Sequence, residues 1–128
     1  MFRRFAVVIV AVVVAVGLAG VAAAAGQHVR PHQKWTYEED AFGSPGCAVV
    51  TIGNNNKWHA DEGLSDAKGT YTGGGTSVTL TVSGSFTFVG TWSTSPKEYS
   101  GTTTTNSGAS YAALLVKGVQ TSYLGAPC

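Results

Sequence analysis

The stretch from Gly69 to Trp92, GTYTGGGTSVTLTVSGSFTFVGTW, constrains the fold more than any other part of the chain. Apolar and polar residues alternate along it, and glycines interrupt the alternation at 73–75 and at Gly84. Alternation with a period of two is typical of strands with one buried face, and glycines between such runs mark turns. The stretch therefore predicts three consecutive antiparallel strands.

Loop length decides which side chains share the buried face, because a slip of one residue turns a whole strand over. A three-residue loop at 83–85 pairs Val82 with Phe86 and Leu80 with Phe88, so the apolar faces agree. The same reasoning, with a three-residue loop of asparagines at 54–56 and an even loop at 74–75, gives further pairs: Ile52 with Trp58, Val50 with Ala60, Tyr71 with Val78, Trp92 with Tyr99, and Gly90 with Gly101.

The predicted strands on either side of these pairs complete a meander. Residues 35–40 begin it, with Trp35 and Tyr37 on one face, and residues 41–46 form a turn. A four-residue turn at 106–109 leads into a strand at 110–117 whose inward residues are Ala112, Leu114 and Val116. Residues 119–123 form a final short strand before the end of the chain.

About eight short strands joined mostly by tight turns, with no helical period after residue 26, predict an all-β fold. A sheet with one apolar face must bury that face, and closure also removes its exposed edges. We expect a small antiparallel up-and-down meander that forms a barrel or a half-barrel. A two-sheet sandwich is the alternative.

The first 25 residues are typical of a secretory signal peptide. Arg3 and Arg4 precede an apolar run from Phe5 that ends in four alanines, residues 22–25. A retained membrane anchor is the competing interpretation, because the run approaches the ~20 residues that span a bilayer. Cleavage would leave a polar flexible lead-in at 26–34 and one β domain at 35–128, with a secreted, extracellular localisation.

The charge balance disfavours polyanionic partners. Of the eight basic residues, two lie in the signal segment, so six remain against seven acidic ones. Without a basic stripe we expect neither nucleic acid nor, after signal cleavage, a membrane surface as a partner.

Cys47 and Cys128 are the two cysteines of the chain. In an exported protein they predict one structural disulfide, which closes a loop of about 80 residues. A redox-active pair would normally have the Cys-x-x-Cys spacing, which is absent here.

Two short motifs resemble those of the calycin group of β-barrels. Gly90-Thr91-Trp92 is similar to the Gly-x-Trp of lipocalins, although lipocalins carry it on the first strand. The segment from Gly69-Thr70-Tyr71 to Gly90-Thr91-Trp92 resembles the strand rhythm of avidin-type meanders. The resemblance implies a barrel that holds a small ligand; it does not imply biotin binding.

Residues for catalysis or metal binding are poorly arranged in the sequence. His59 and Asp61 share a predicted strand face, but no serine follows in a Gly-x-Ser-x-Gly context. The carboxylates at 38–40 and at Asp61, Glu62 and Asp66 lack the spacing of a calcium loop and suit solvated turns. We therefore predict no enzyme, no cofactor and no metal site, and place a hydrolase using His59 last among the hypotheses.

The inward-facing aromatic residues are the better functional candidates. Gly90 and Gly101 lie side by side on the buried face, so we expect a gap beside Trp92 and Tyr99. Aromatic walls with a few hydroxyls suit an apolar or aromatic ligand. The predicted function is non-catalytic binding of such a ligand in the barrel, with these site residues: Trp92, Tyr99, Phe88 and Tyr71.

A surface interaction module is the alternative function. It would bind cell-wall glycan or another protein through exposed aromatic residues and the threonines that alternate outward along the strands. An exposed patch formed by Trp35, Tyr111 or Tyr123 would favour it.

Overall fold

The fold is taken from a computed structural model that describes residues 26–61 and 67–128. The predicted signal peptide at 1–25, and most of the predicted polar connection at 62–68, lie outside the described residues. The described chain contains ten β-strands: β1 (Lys34–Ala41), β2 (Ser44–Ile52), β3 (Lys57–Ala60), β4 (Lys68–Gly73), β5 (Ser77–Val82), β6 (Phe86–Thr94), β7 (Lys97–Thr105), β8 (Ser110–Lys117), β9 (Ser122–Tyr123) and β10 (Ala126–Pro127).

The first eight strands form a closed antiparallel barrel in which each strand pairs with the next and β8 pairs back with β1. The predicted all-β meander and its closure are confirmed, and the half-barrel and sandwich alternatives are excluded. β9 and β10 form a separate two-stranded hairpin. Closure pairs every barrel strand on both sides, which removes the exposed edges that an open sheet of this length would carry.

Most of the registers predicted from loop parity are confirmed. Ile52 lies opposite Trp58 and Val50 opposite Ala60. Four further predicted pairs are also observed: Val82 with Phe86, Leu80 with Phe88, Trp92 with Tyr99, and Gly90 with Gly101.

The β4–β5 register differs from the prediction by two residues. Tyr71 pairs with Leu80 instead of Val78, and Val78 pairs with Gly73. The amide of Gly74 donates to the Ser77 carbonyl at 2.8 Å, so the two-residue loop is 75–76 instead of 74–75, and each residue of β4 pairs two residues further along β5 than expected. Because the shift is even, the same side chains still face the interior.

The predicted inward face of β8 is wrong. Ala113 and Leu115 are buried in the barrel, whereas Ala112 is exposed. The Thr105 amide donates to the Ala109 carbonyl at 2.8 Å, so the connecting loop has three residues instead of four. Its last residue, Gly108, has a φ of 94°, as in three-residue hairpins that end in a left-handed glycine.

The first hairpin turn is also tighter than the predicted turn at 41–46. β1 continues to Ala41 and β2 starts at Ser44, which leaves Phe42 and Gly43 as the turn. Their φ angles of 55° and 84° are both positive, as a type I′ turn requires.

The barrel interior is filled mainly by aromatic and branched side chains. The aromatic residues of β3 to β7 that are predicted to face inward all lie on the interior face, as do Trp35 and Tyr37 of β1. They are Trp58, Tyr71, Phe86, Phe88, Trp92 and Tyr99. The largest fully buried side chains are Trp35, Tyr37, Tyr99 and Phe88. At about 150–250 Å² each, buried aromatic rings supply much of the apolar area that this small domain removes from water.

The two ends of the barrel differ. One end, called the cap end, carries the loops at 53–56, 74–76 and 95–96, and residues 26–33 (the cap segment) lie across it. The opposite end, called the open end, carries the turns at 42–43, 83–85 and 106–108. Lys34, assigned to the lead-in by sequence, belongs to β1.

Residues 118–128 form a tail on the outer face of the barrel. The Thr36 hydroxyl donates to the Gly118 carbonyl at 2.8 Å and accepts from the Gln120 amide at 2.9 Å. The predicted disulfide between Cys47 and Cys128 is confirmed, and it fixes the end of the tail to β2. The predicted final strand at 119–123 is replaced by the β9–β10 hairpin.

Candidate functional site

The four predicted site residues all face the interior, but they belong to two different groups of rings. Trp92 and Tyr99 lie together, with ring centroids 5.0 Å apart, and Trp35 lies 5.7 Å from Tyr99. Phe88 instead contacts Tyr37, at 5.8 Å. Tyr71 lies on β4, beside Leu80, and is 5 % exposed.

The space expected beside the paired glycines is filled. A Cβ atom at Gly90 would lie 2.6 Å from the ring of Phe88, and one at Gly101 would lie 1.8 Å from the Val89 carbonyl oxygen. The Phe88 ring and the close approach of β6 and β7 occupy the volume that two missing side chains would have left. A ligand cannot enter at this point of the barrel without displacing core atoms.

The cap segment covers the Trp92 end of the interior. The imidazole of His28 stacks on the Trp92 indole with centroids 3.8 Å apart and an interplanar angle of 15°. The His28 amide donates to the Gly74 carbonyl at 2.6 Å, and the Gln27 side-chain amide donates to the Gly73 carbonyl at 2.8 Å. Val29, next along the segment, is 1 % exposed.

The indole N–H of Trp92 lacks an acceptor. Its Nε1 atom is buried and has no hydrogen-bond partner among the described residues. The other two indoles are satisfied, because Trp35 donates to Gln33 Oε1 at 3.0 Å and Trp58 donates to the Thr70 carbonyl at 3.1 Å. A buried donor without a partner is uncommon and costs free energy, so it marks a place where an acceptor would be bound favourably.

The electrostatics of the cap end favour neutral groups. Burial lowers the pKa of His28, and the positive charges of Lys117 and Arg30 lower it further. Burial raises the pKa of Tyr99, whose hydroxyl donates to the Gly75 carbonyl at 2.9 Å. Both groups are therefore uncharged at neutral pH, and the rings around Trp92 form an uncharged aromatic site.

His59 and Asp61 share the outer face of the barrel, as predicted, and lie 3.5 Å apart between Nε2 and Oδ1. Asp61 also accepts hydrogen bonds from Lys34 and from the Thr51 hydroxyl. Burial raises the pKa of Asp61, but the hydrogen bonds from Lys34 and Thr51 and the nearby positive charge outweigh it and lower the pKa overall. Lys34 and Asp61 thus form a surface ion pair, and the neighbouring hydroxyl, that of Thr51, is already hydrogen-bonded to the Asp61 carboxylate.

The carboxylates at 38–40 are separated by the strand pleat. Glu39 faces the interior at the open end and accepts hydrogen bonds from Tyr37 at 2.9 Å and from Tyr111 at 3.3 Å. Glu38 faces outward, next to the disulfide. The disulfide sulfurs are not thiolates, so this group of Glu38, Cys47 and Cys128 lacks the donors that a transition metal prefers.

A hollow of about 450 Å³ at the open end was not anticipated from the sequence. It lies around the tip of the β5–β6 hairpin and the end of β7, and its lining residues are Thr81, Val82, Ser83, Gly84, Ser85, Phe86, Thr87, Thr104, Thr105 and Asn106. The sequence does contain a cluster of small hydroxyl-bearing residues around Gly84, but such a cluster is typical of a turn and does not by itself predict a cavity.

Comparison with known proteins identifies no relative. Neither a protein-family model, nor a curated protein, nor a solved structure matches the chain. The closed eight-stranded antiparallel barrel is compatible with a calycin-like architecture, and the disulfide with an extracellular location. Within residues 26–61 and 67–128, no helix is long and apolar enough to cross a membrane.

Proposed function

We propose that this protein is a secreted, non-catalytic binding protein for a small planar apolar or aromatic ligand. The ligand stacks on Trp92 at the cap end of the barrel, in the position that the His28 ring occupies. The observation that carries the proposal is the buried indole N–H of Trp92, which has no acceptor beneath a stacked and displaceable ring.

The contacts of the cap segment support displacement as the route of entry. His28 itself is held on Trp92 by ring stacking and by one backbone hydrogen bond to the Gly74 carbonyl, while Gln27 and Val29 anchor the backbone on either side of it. Stacked aromatic pairs contribute only about 0.5–1.5 kcal/mol beyond the area they bury, so a larger planar ligand can compete for the same surface. The filled interior beside Gly90 limits the ligand to this end.

The same geometry defines the ligand chemistry. The floor consists of Trp92, Tyr99 and Trp35, which favours a flat, apolar ring system. The free indole N–H favours a hydrogen-bond acceptor at one edge of that ring system. Arg30 and Lys117 are the charged groups near His28, so a cationic ligand would be disfavoured.

Coumarin and naphthalene form a matched pair of probes, because both are flat bicyclic rings and only coumarin carries a carbonyl acceptor. The chain has three tryptophans, whose indole N–H groups give three signals in a ¹H–¹⁵N correlation spectrum. We expect coumarin to shift the Trp92 signal most and to bind more tightly than naphthalene. Trp92→Phe should assign that signal and reduce the preference for coumarin by about two- to tenfold.

The cap is tested with His28→Ala, which should tighten coumarin binding by about two- to tenfold because it removes the competing ring. His59→Ala, the same substitution at an exposed histidine on the outer face, is the matched control and should leave binding unchanged. Coumarin and naphthalene that bind equally well, or that leave the Trp92 signal in place, would refute the proposal.

The alternative function, a surface module using Trp35, Tyr111 or Tyr123, gains no support from their positions. Trp35 is fully buried, and Tyr111 and Tyr123 are half-buried. We therefore do not assign an interaction surface to these three residues.

A further inference from the structure

We propose that the hollow at the open end is a second binding site, independent of Trp92, for an uncharged, hydroxyl-rich ligand such as a saccharide. The proposed function does not use this hollow. Its concave surface is lined by one phenylalanine, a set of hydroxyl-bearing residues and one asparagine.

The charge of the lining defines the ligand class. None of the ten lining residues is ionisable. A charged ligand would lose hydration on entering and would find no opposite charge in return, which is a substantial cost. A neutral polyol loses only hydrogen bonds to water, and the hydroxyl and amide groups of the lining replace these.

The polar groups of the lining are available for a ligand. The hydroxyls of Ser83, Ser85 and Thr87 and the side-chain amide of Asn106 make no hydrogen bonds with the described residues. A hydroxyl can both donate and accept, and a carboxamide offers two donors and an acceptor. Such groups match the mixed donors and acceptors of sugar hydroxyls.

The hollow is built on a fixed frame. The Asn106 amide donates to the Ser85 carbonyl at 2.7 Å, which ties the β7–β8 loop to the tip of the β5–β6 hairpin. Phe86 is held by a stacked contact with Tyr37, with centroids 5.7 Å apart. The Phe86 ring and the backbone of the two loops are therefore held in place before a ligand arrives, which lowers the entropic cost of binding.

The test uses neutral and charged sugars on the isotope-labelled protein. Glucose and cellotetraose should shift the signals of Ser85 and Asn106, whereas glucuronate, which carries a carboxylate, should bind at least threefold more weakly than glucose. Tighter binding of cellotetraose than of glucose identifies a polymer as the source of the ligand, and equal binding identifies a free sugar. Either result supports the proposal.

Asn106→Ala should weaken glucose binding by about two- to tenfold through loss of the carboxamide. Asn54→Ala, at the cap end, is the matched control and should leave it unchanged. Phe86→Leu keeps an apolar side chain but removes the ring, and it should weaken binding as well. Because Asn106 is exposed, Asn106→Ala still tests the proposal if Phe86→Leu does not fold.

The proposal is overturned if the sugars leave the Ser85 and Asn106 signals in place, or if coumarin instead of sugar shifts them. It is equally overturned if Asn106→Ala and Asn54→Ala bind glucose alike. Because the readout signals belong to the open end, these outcomes do not depend on whether Trp92 binds coumarin.

Discussion

Glu38 lies on the outer face of β1 with only 6 % of its surface exposed, between Cys47 on β2 and Leu114 on β8. Burial raises the pKa of its carboxyl, and the negative charge of Glu98 raises it further. The native state therefore holds a proton on Glu38 at pH values where the unfolded chain has already released it. Its contribution to stability is present at acid pH and is lost as the pH rises through the raised pKa.

Glu38→Gln keeps the shape of this side chain and removes its charge. We expect the variant to have a higher Tm than the wild type at pH 8, with the difference shrinking as the pH falls towards 4, where Glu38 is protonated in both states. Thermal unfolding followed by circular dichroism across this pH range measures the effect. A variant that is less stable at pH 8 would show that the ionised carboxylate stabilises the fold.

At the same scale, the sequence identified part of the candidate site. Trp92 and Tyr99 were placed together because their strands alternate regularly and a turn of even length fixes their pairing. His28 was missed, because the cap segment has no strand pattern and its ring reaches Trp92 through tertiary contacts alone. Val29 was the available signal, since it is the one strongly apolar residue in an otherwise polar segment.

At the scale of the strands, the inward face of a strand was predictable wherever its two faces differ in polarity. β8 is the exception, because its sequence YAALLV is apolar on both faces and its register depends on the loop alone. Its outward residues Leu114 and Val116 are half-buried, and Val116 pairs with Thr36, where the tail is held. A strand that is covered on both faces lacks the alternation of apolar and polar residues that shows which face points inward.

The close approach of β6 and β7 depends on Gly101. A Cβ atom there would lie 1.8 Å from the Val89 carbonyl oxygen and 2.7 Å from the Gly90 Cα atom, and backbone atoms cannot rotate away as a side chain can. We expect Gly101→Ala to lower the free energy of unfolding by about 3 kcal/mol or more, the upper range for overpacking. Equilibrium unfolding in urea measures this loss.

Gly53→Ala is the matched control for that substitution. The nearest atom to its added Cβ would be the Lys57 carbonyl oxygen, at an ordinary contact distance of 3.6 Å. Its effect should stay within about 0.5 kcal/mol, as for most surface substitutions. Equal losses in the two variants would mean that the β6–β7 contact does not set the requirement for glycine at position 101.

At the scale of the whole molecule, a meander that forms a barrel or a half-barrel was predictable from a sheet with one apolar face and two edges to protect, and the structure shows the closed form. The cap and the tail did not follow, because neither contains a periodic pattern. Both are held by contacts between distant parts of the chain, such as His28 on Trp92 and Thr36 on Gly118. An odd or even number of loop residues predicts which residues pair within a sheet, but it gives no information on segments that cross the sheet.

The disulfide and the β1–β8 pairing both join distant parts of the chain, but they have different roles. Backbone pairing from Trp35 to Glu39 with β8 closes the barrel without any covalent link. The bond between Cys47 and Cys128 spans a sequence separation of 81 residues and fixes only the tail. In the chain-entropy model a loop of this length restricts the unfolded state by about 4.5 kcal/mol.

Replacing both cysteines by serine should therefore lower the unfolding free energy by up to about 4.5 kcal/mol while leaving the barrel folded. In hydrogen exchange, the amides of Gln120 and of residue 128 should lose protection, because the tail is no longer tethered. The amides of β6 and β7 should remain the slowest to exchange under native conditions. If instead the β6 and β7 amides exchange as fast as those of the tail, the barrel itself requires the disulfide, and closure by β1–β8 pairing is insufficient to hold a domain of this size.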